Sequence, residues 1–414
     1  MDKAKQKFRL TSLERAWILY DVGNSAFVLL VATLIPIFFN ALAEGGGLSS
    51  VEYLAYWGYA ASAVTVITAV LSPILGTLAD TRNFKKPIFT FCVAVGVIGC
   101  CAMGMASTWL PFLLIFIFAK VGFSGSLVFY DSMLSDVTVP DRMDEVSSKG
   151  YAWGYIGSCV PFVVCLALVL GAGSIGISQM TALNLALFIT AAWWLVTTLP
   201  LLRQYKQVHF VEVQEHAIRQ SFARIGHTLR HLKEDRQVFW FLLAFFCYID
   251  GVYTIIDMAT AYGTALGLDT TGLLLALLVT QIVAFPSALV FGRLSGQYPS
   301  GTLIPVCIAA YAGIALFAFF LKHQWQFWVL AVVVGMFQGG IQALSRSHFA
   351  KIIPPEKSGE YFGLFDICGK GASFLGTMIV SVGSQLTGSA NVGVGSLIVL
   401  FIVGFVLFRV SDRK

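Results

Sequence analysis

Long apolar runs separated by short polar connections dominate the chain, at about 16–40, 53–79, 87–106, 109–136, 149–171, 179–202, 237–264, 271–298, 301–321, 325–352, 358–386 and 392–410. A helix needs about 20 apolar residues to cross the hydrocarbon core of a bilayer. The pattern therefore predicts an all-α integral membrane protein of twelve transmembrane helices. Several connections, such as the one around Ser107-Thr108-Trp109, are short enough to require antiparallel neighbours. One connection, 203–236, is long and hydrophilic, and it divides the chain into a first six-helix bundle (1–202), a basic linker (203–236) and a second six-helix bundle (237–414).

An internal repeat supports that division. Displacing the sequence so that Gly125 falls on Gly339 also brings Pro140 onto Pro354 and Gly157 onto Gly371. Parallel repeats of six spans characterise major facilitator transporters, whose two halves enclose a central site. Composition agrees: of 414 residues 57% are hydrophobic and only 12% charged, with mean hydropathy +0.79. Soluble domains carry about twice that share of charge. The eight cysteines all lie inside apolar runs without C-x-x-C spacing, so they read as small buried hydrophobes. The basic first fifteen residues carry no cleavable signal pattern, and the first span is expected to be retained.

Charge fixes the expected orientation. All of the 27 lysines and arginines except Lys120, Lys322 and Lys370 fall on the side of the N terminus. By the positive-inside rule both termini face the cytoplasm of a bacterial-type inner membrane. In the linker, basic residues interleave with Phe222, Ile225 and Leu229. This suits either a helix lying on the anionic inner leaflet or a solvated tether between the halves.

The loop after the second span reads Gly76-Thr77-Leu78-Ala79-Asp80-Thr81-Arg82-Asn83-Phe84-Lys85-Lys86-Pro87. It resembles the signature loop of the major facilitator superfamily. That resemblance implies a cytoplasmic latch in which Gly76, Asp80 and Lys85 take part. Asn83 stands where the signature has glycine, and asparagine tolerates a left-handed turn. The second-half counterpart, Gly292-Arg293-Leu294-Ser295-Gly296, lacks the acid. Further stretches narrow the match: Trp17-Ile18-Leu19-Tyr20-Asp21-Val22-Gly23-Asn24, Phe129-Tyr130-Asp131-Ser132, Gly150-Tyr151-Ala152-Trp153-Gly154 and Gln338-Gly339-Gly340-Ile341-Gln342-Ala343-Leu344-Ser345-Arg346-Ser347. These resemble the UMF1 branch of the superfamily, bacterial relatives of the yeast vacuolar effluxer Atg22. The resemblance implies secondary transport, in the efflux direction, of amino acids or similar small polar solutes by a monomer.

An ionisable side chain within a span costs at least about 2.5 kcal/mol to insert, and such groups normally face the bundle interior or water. Asp250 and Asp257 stand two turns apart on the seventh span and suggest a carboxylate pair lining one cavity, with Asp250 the first candidate for proton coupling. Asp250 alternatively only anchors a broken helix beside Gly251. Asp366 and Lys370 are spaced to pair along the eleventh span, either neutralising each other or opening to meet a zwitterion. Lys120 and Asp131 fall near one stripe of the fourth span. Gln338 and Gln342 offer uncharged donors and acceptors. Asn24 shares a face with Asp21, and Asp21 is expected to pair with Arg15 or Lys149. Arg346 is expected to pair with Asp136 or Glu360 as part of the gate.

Candidate polar residues are spread over both halves, as transport requires, whereas an enzyme would concentrate its nucleophile, base or metal ligands. No Walker loop, H-E-x-x-H or G-x-S-x-G is present, so no cofactor beyond a coupling proton is expected. The partners expected are a small solute and the lipid bilayer, not a nucleic acid. A sensor with a transporter fold is the alternative, and an intramembrane enzyme a more remote one.

Overall fold

The computed structural model describes residues 8–212, 230, 232 and 235–412, apart from a few helical side chains, that of Lys370 among them. The linker residues Phe222, Ile225 and Leu229 lie outside the described residues. Helices α1 (Ser12–Ala32), α2 (Leu34–Gly45), α3 (Ser50–Ala79), α4 (Lys85–Met103), α5 (Trp109–Ser132), α6 (Leu134–Val137), α7 (Pro140–Leu170) and α8 (Gln179–Gln204) precede the linker. After it come α9 (Arg236–Ala265), α10 (Thr270–Leu294), α11 (Ser300–Phe319), α12 (Gln324–Ile352), α13 (Ser358–Thr387), α14 (Ala390–Gly395) and α15 (Ile398–Ser411). Eleven segments among the described residues are long and apolar enough to cross a membrane. The thirty-residue α13 makes the twelfth crossing.

The first and last crossings are each broken. Backbone at Thr33 leaves helical geometry and separates α1 from α2, while Leu397 separates α14 from α15. Prolines at 73, 161, 200, 286 and 305 sit inside helices. Lipid-embedded helices tolerate them because neighbouring groups satisfy the carbonyls that proline frees. Polar sequence signals set the starts: Thr11 and Glu14 form a capping box on α1, and Ser49 and Glu52 form one on α3. Glu14 also receives Arg142 Nε at 2.8 Å and Thr138 Oγ1 at 2.7 Å, which ties the start of α1 to the start of α7.

Two bundles result. In the first, α1 packs on α7 and α8, α4 on α5 and α8, and α3 on α5. In the second, α9 packs on α13 and α15, α10 on α12, and α11 on α12 and α15. The internal repeat has a counterpart in side-chain chemistry. Tyr20 of α1 meets Ser126 of α5 at 2.6 Å, and Tyr248 of α9 meets Ser345 of α12 at 2.7 Å, a tyrosine–serine bond between first and fourth crossings in each half. The bundles meet where α3 and α5 lie against α13 and where α7 lies against α10 and α12. We call the face on which α1 begins and α15 ends the terminal face, and its opposite the far face. Polar contacts between the bundles cluster in the terminal half.

Small residues set helix spacing, since lipid tails give no hydrophobic drive for helices to associate. A Cβ on Gly122 of α5 would stand 2.7 Å from the backbone nitrogen of Gly96 on α4, whereas one on Gly58 meets nothing within 4 Å. Gly122→Val is therefore expected to destabilise the first bundle by about 1–3 kcal/mol. Gly58→Val should leave the thermal midpoint in detergent unchanged, and equal midpoints for the two variants would contradict this packing.

Candidate functional site

The terminal face is closed by a latch built from the signature loop. Gly76 of α3 and Gly359 of α13 touch backbone to backbone, and a Cβ on Gly76 would stand 2.2 Å from the Gly359 carbonyl oxygen. That approach lets the buried Asp80 carboxylate receive the N–H groups of Gly359 at 2.7 Å and Glu360 at 2.8 Å. These are orphan donors at the positive end of α13, so a carboxylate there is stabilised by hydrogen bonds and by the helix dipole. Lys85, fully buried, donates to Ser358 Oγ at 2.8 Å and lies 3.7 Å from Asp80 and 3.8 Å from Asp136. Asn83 adopts φ +65°, the left-handed turn expected of it. On the other side of the interface, Asp144 of α7 receives Ser347 Oγ and Lys351 Nζ of α12, both at 2.6 Å.

No motif in the linker signalled that its first residues dock onto this latch. Val211 donates its N–H to the Asp80 carbonyl at 2.8 Å and accepts from Arg82 N at 3.1 Å. Gln207 Nε2 reaches the Ala79 carbonyl at 2.9 Å. Asp136 accepts from Tyr205 Oη at 2.5 Å and from His209 through its backbone N–H at 2.9 Å, with its ring Nδ1 at 3.0 Å. The hydrogen bond to Asp136 raises the His209 pKa above the usual histidine value. Burial alone would raise Asp136, but the His209 bond and the Lys85 charge outweigh it and hold the carboxyl below its usual range.

Further into the membrane, Arg346 of α12 crosses the interface and is held by the first bundle. Its Nη1 donates to Asp131 Oδ1 at 3.0 Å, its Nε to Ser147 Oγ at 3.0 Å, and its Nη2 to the Ser147 carbonyl at 3.1 Å. Asp21 Oδ2 stands 3.8 Å from Nη2 and makes no hydrogen bond within the protein. The guanidinium also lies over the rings of Tyr151 at 4.3 Å, Trp17 at 4.7 Å and Tyr130 at 5.3 Å. Planar, weakly hydrated guanidinium suits such a cage better than an ammonium does. This corrects two expected pairings. Arg346 does not meet Asp136 or Glu360, because Asp136 is engaged by Lys85 and the linker. Asp21 meets neither Arg15 nor Lys149: Lys149 pairs with Glu145 at 2.7 Å, and Arg15 lies exposed.

A second charged tier lies about 16 Å nearer the far face along α5, the rise of eleven helical residues. There Lys120 sits over the Phe123 ring at 4.6 Å and the Phe27 ring at 5.9 Å, and its charge acts on Asp257 of α9. Lys120 and Asp131, expected near one stripe about three turns apart, thus stand at different depths. Asp257 is exposed, whereas Asp250 is fully buried between α9 and α13, so the two do not form one carboxylate pair. Asp250 accepts the Gly376 N–H at 2.8 Å and Thr254 Oγ1 at 3.3 Å. Gly376 has no side chain to block this approach, since a Cβ there would come within 2.6 Å of Asp250 Oδ1. Asp250 thus knits the second bundle together instead of facing the first.

The remaining candidates border the interface. Asp366 of α13 accepts Ser72 Oγ of α3 at 2.7 Å, and its charge reaches Asp131 and Tyr253. The side chain of Lys370, its expected partner, lies outside the described residues. Gln342 accepts from Tyr155 Oη at 3.4 Å, which joins α12 to α7. Asn24 Nδ2 and Gln338 Oε1 are buried without a hydrogen-bond partner within the protein. Unsatisfied amides of this kind are uncommon in native interiors and point to a missing partner such as solute or water.

A family model described as vacuole effluxer Atg22 like matches residues 12–138 and 135–414. The chain belongs to the Atg22-like family. It is 42% identical to the MFS-type transporter YxiO of Bacillus subtilis, over 96% of this chain and 94% of YxiO. Autophagy-related protein 22 of Coccidioides immitis is 25% identical over 65% of this chain and 51% of that protein. The chain thus spans about half the length of this fungal relative. The fold matches the human organic anion transporter MFSD10 with TM-score 0.72 at 13% identity, covering 96% of this chain and 98% of that one. This Atg22-like chain is accordingly an integral membrane transporter with the major facilitator fold, and not an enzyme.

Sequence reasoning missed the aromatic cage of Trp17, Tyr130 and Tyr151, although all three lie within the stretches that carried the resemblance. A cage is a tertiary object, assembled from α1, α5 and α7 around a residue of α12.

Protonated His209 is the form that Asp136 stabilises. The His209 contribution to the linker's hold on the latch is therefore complete below the ordinary histidine value of 6.5 and is lost as pH rises through the raised native value, which leaves the Val211, Gln207 and Tyr205 contacts. Tryptic cleavage after Lys206 and Arg82, measured against a reference peptide, should quicken as pH rises through that window. His209→Gln should abolish the step, and an unchanged step in that variant would clear His209.

Proposed function

We propose that this Atg22-like chain is a secondary transporter that exports a small polar solute, with amino acids the leading class, by rocker-switch alternating access coupled to protons. One observation carries this reading. Lys120 of the first bundle and Asp257 of the second present opposite charges to each other in the far half, while the latch closes the terminal half. An ammonium and a carboxylate set apart in this way match the two ends of a zwitterion. Buried Asn24 and Gln338, lacking partners of their own, supply donors and acceptors between the tiers. The distribution of lysines and arginines supports a cytoplasmic terminal face, which makes the described state outward-facing. The effluxer description of the family supports the direction. Sugar-like solutes fit less well, because their recognition needs no charge pair of opposite sign.

The distribution of contacts between the bundles supports alternating access. Closure depends on Gly76 against Gly359, the Asp80 cap, the Asp144 pairs and the Arg346 lock, all of which must part for the terminal side to open. Tilting the bundles about the mid-membrane contacts of α7 with α10 and α12 would trade this closure for one on the far side.

Counterflow in proteoliposomes against a panel of amino acids should identify an exchanged solute. Lys120→Ala and Asp257→Asn should each raise its half-saturation concentration by about tenfold or more, the loss of one charge contact. Absence of exchange for every zwitterion in the panel would end the amino-acid reading, and unchanged affinity in both variants would remove the Lys120–Asp257 tier from the site.

A further inference from the structure

We propose that the coupling proton binds at the Asp21–Asp131 carboxylate pair around Arg346, where its arrival unlocks the terminal gate. This rests on the transport reading above and assigns a proton seat within it.

Charge balance is the first ground. Asp21 from α1 and Asp131 from α5 share one guanidinium, that of Arg346 from α12. Asp366 from α13 adds a further negative charge within electrostatic reach of Asp131. Among the described residues, the other titratable groups facing the cluster are Tyr20 of α1, Tyr130 of α5, Tyr151 and Tyr155 of α7 and Tyr253 of α9, all neutral in the ordinary range. Within the ion-paired set itself, Asp21 and Asp131 against Arg346 leave one surplus negative charge in a region that tolerates charge only when it is paired, and Asp366 adds to that pressure from outside the set. A single proton removes that surplus.

Geometry is the second ground. Asp21 Oδ2 carries no hydrogen bond although it is buried, which leaves an oxygen free to accept a proton. The Asp131 side chain is 20% exposed, while that of Arg346 is only 3% exposed, so Asp131 is the more accessible of the two. The contacts that would bar entry from the terminal side, the latch and the Asp144 pairs, are closed. A proton therefore arrives from the far face.

The third ground is mechanical. Among the described residues, Arg346 is the one cation of the second bundle held by carboxylates of both α1 and α5. When a proton forms an O–H bond on Asp131, the ion pair from Nη1 to Oδ1 is lost and Asp21 remains as sole counter-charge. What then holds the bundles here is the Ser147 bonds and one long contact at 3.8 Å. The Arg346 lock, one of the contacts that must part before the terminal side opens, is thereby loosened with a neutral Asp21–Asp131–Arg346 cluster, and deprotonation restores it once solute has loaded. Proton entry and solute exit are thus linked as exchange. Asp250 has no part in this, because it spans two helices of the same bundle.

Infrared difference titration of the reconstituted protein tests the seat without knowledge of the solute. From about pH 8 to about pH 5, the wild type should gain a protonated-carboxyl C=O band. That band should disappear in Asp21→Asn/Asp131→Asn, shift in frequency in Asp131→Glu, and persist in Asp250→Asn. Hydrogen exchange of residues 343–350, corrected for the intrinsic effect of pH, should be about tenfold or more faster at the acid end, as expected when a buried ion pair is broken. In Asp131→Asn it should be fast throughout. A band that survives the double variant or vanishes in Asp250→Asn would overturn the assignment, as would exchange that ignores pH in the wild type. If the double variant does not fold, an unshifted band in Asp131→Glu overturns it equally. Failure of amino-acid counterflow with an intact titration would sink the solute reading and leave the proton seat standing.

Discussion

A guanidinium within the membrane-spanning region, donated by one bundle and neutralised by the other, is the constraint around which the rest of the structure is arranged. Arg346 costs too much to insert alone, so its compensation by Asp131, Asp21 and Ser147 must be made across the interface. Neither bundle is electrostatically complete at that level without its partner. The same fact makes the interface switchable. An interaction made of one cation, two carboxylates and three ring faces is weakened by a single proton, where a packed apolar seam would not respond.

Small residues bring the backbones close enough for this chemistry to operate. Gly76 against Gly359, Gly363 against Pro73 and Gly292 against Ser148 remove side chains from the line of contact. The Asp80 carboxylate can then cap a helix of the opposite bundle through that helix's own amides. Such a cap needs no particular side chain on α13, only the helix start and the glycine. It forms when the bundles close and is lost intact when they part, which suits a gate better than a permanent anchor.

The two halves are alike in path and unlike in chemistry. The tyrosine–serine bonds of Tyr20 with Ser126 and of Tyr248 with Ser345 mark the shared plan. The latch does not repeat, because the second-half loop at Gly292 lacks an acid. There the acid comes from the first bundle instead, as Asp144 paired with Lys351. The start of the linker is recruited to the first-half latch alone, through Asp136 and the Val211 bridge. The connection between halves is thus fastened to the loop that joins α3 to α4.

Sequence alone determined the membrane class, the number of crossings, the two-bundle plan and the family. These follow from run length, hydropathy and local motifs, all properties read along one dimension. It also marked Asn83 as a left-handed turn, since φ is a local preference. It marked Asp131, Lys120, Asp257 and Arg346 as costly charges in spans, but not which of them meet. Spacing on one helix suggested Asp250 with Asp257, and the fold separated that pair; it set Lys120 and Asp131 three turns apart on one stripe without saying what each of them meets. The cause is physical: in lipid, the cost of a charge is settled by the nearest opposite charge on a neighbouring helix, and helical periodicity says nothing about which helix that is. Only tertiary packing turned Asp250 toward Gly376, set Arg346 among Trp17, Tyr130 and Tyr151, and laid the linker across the latch.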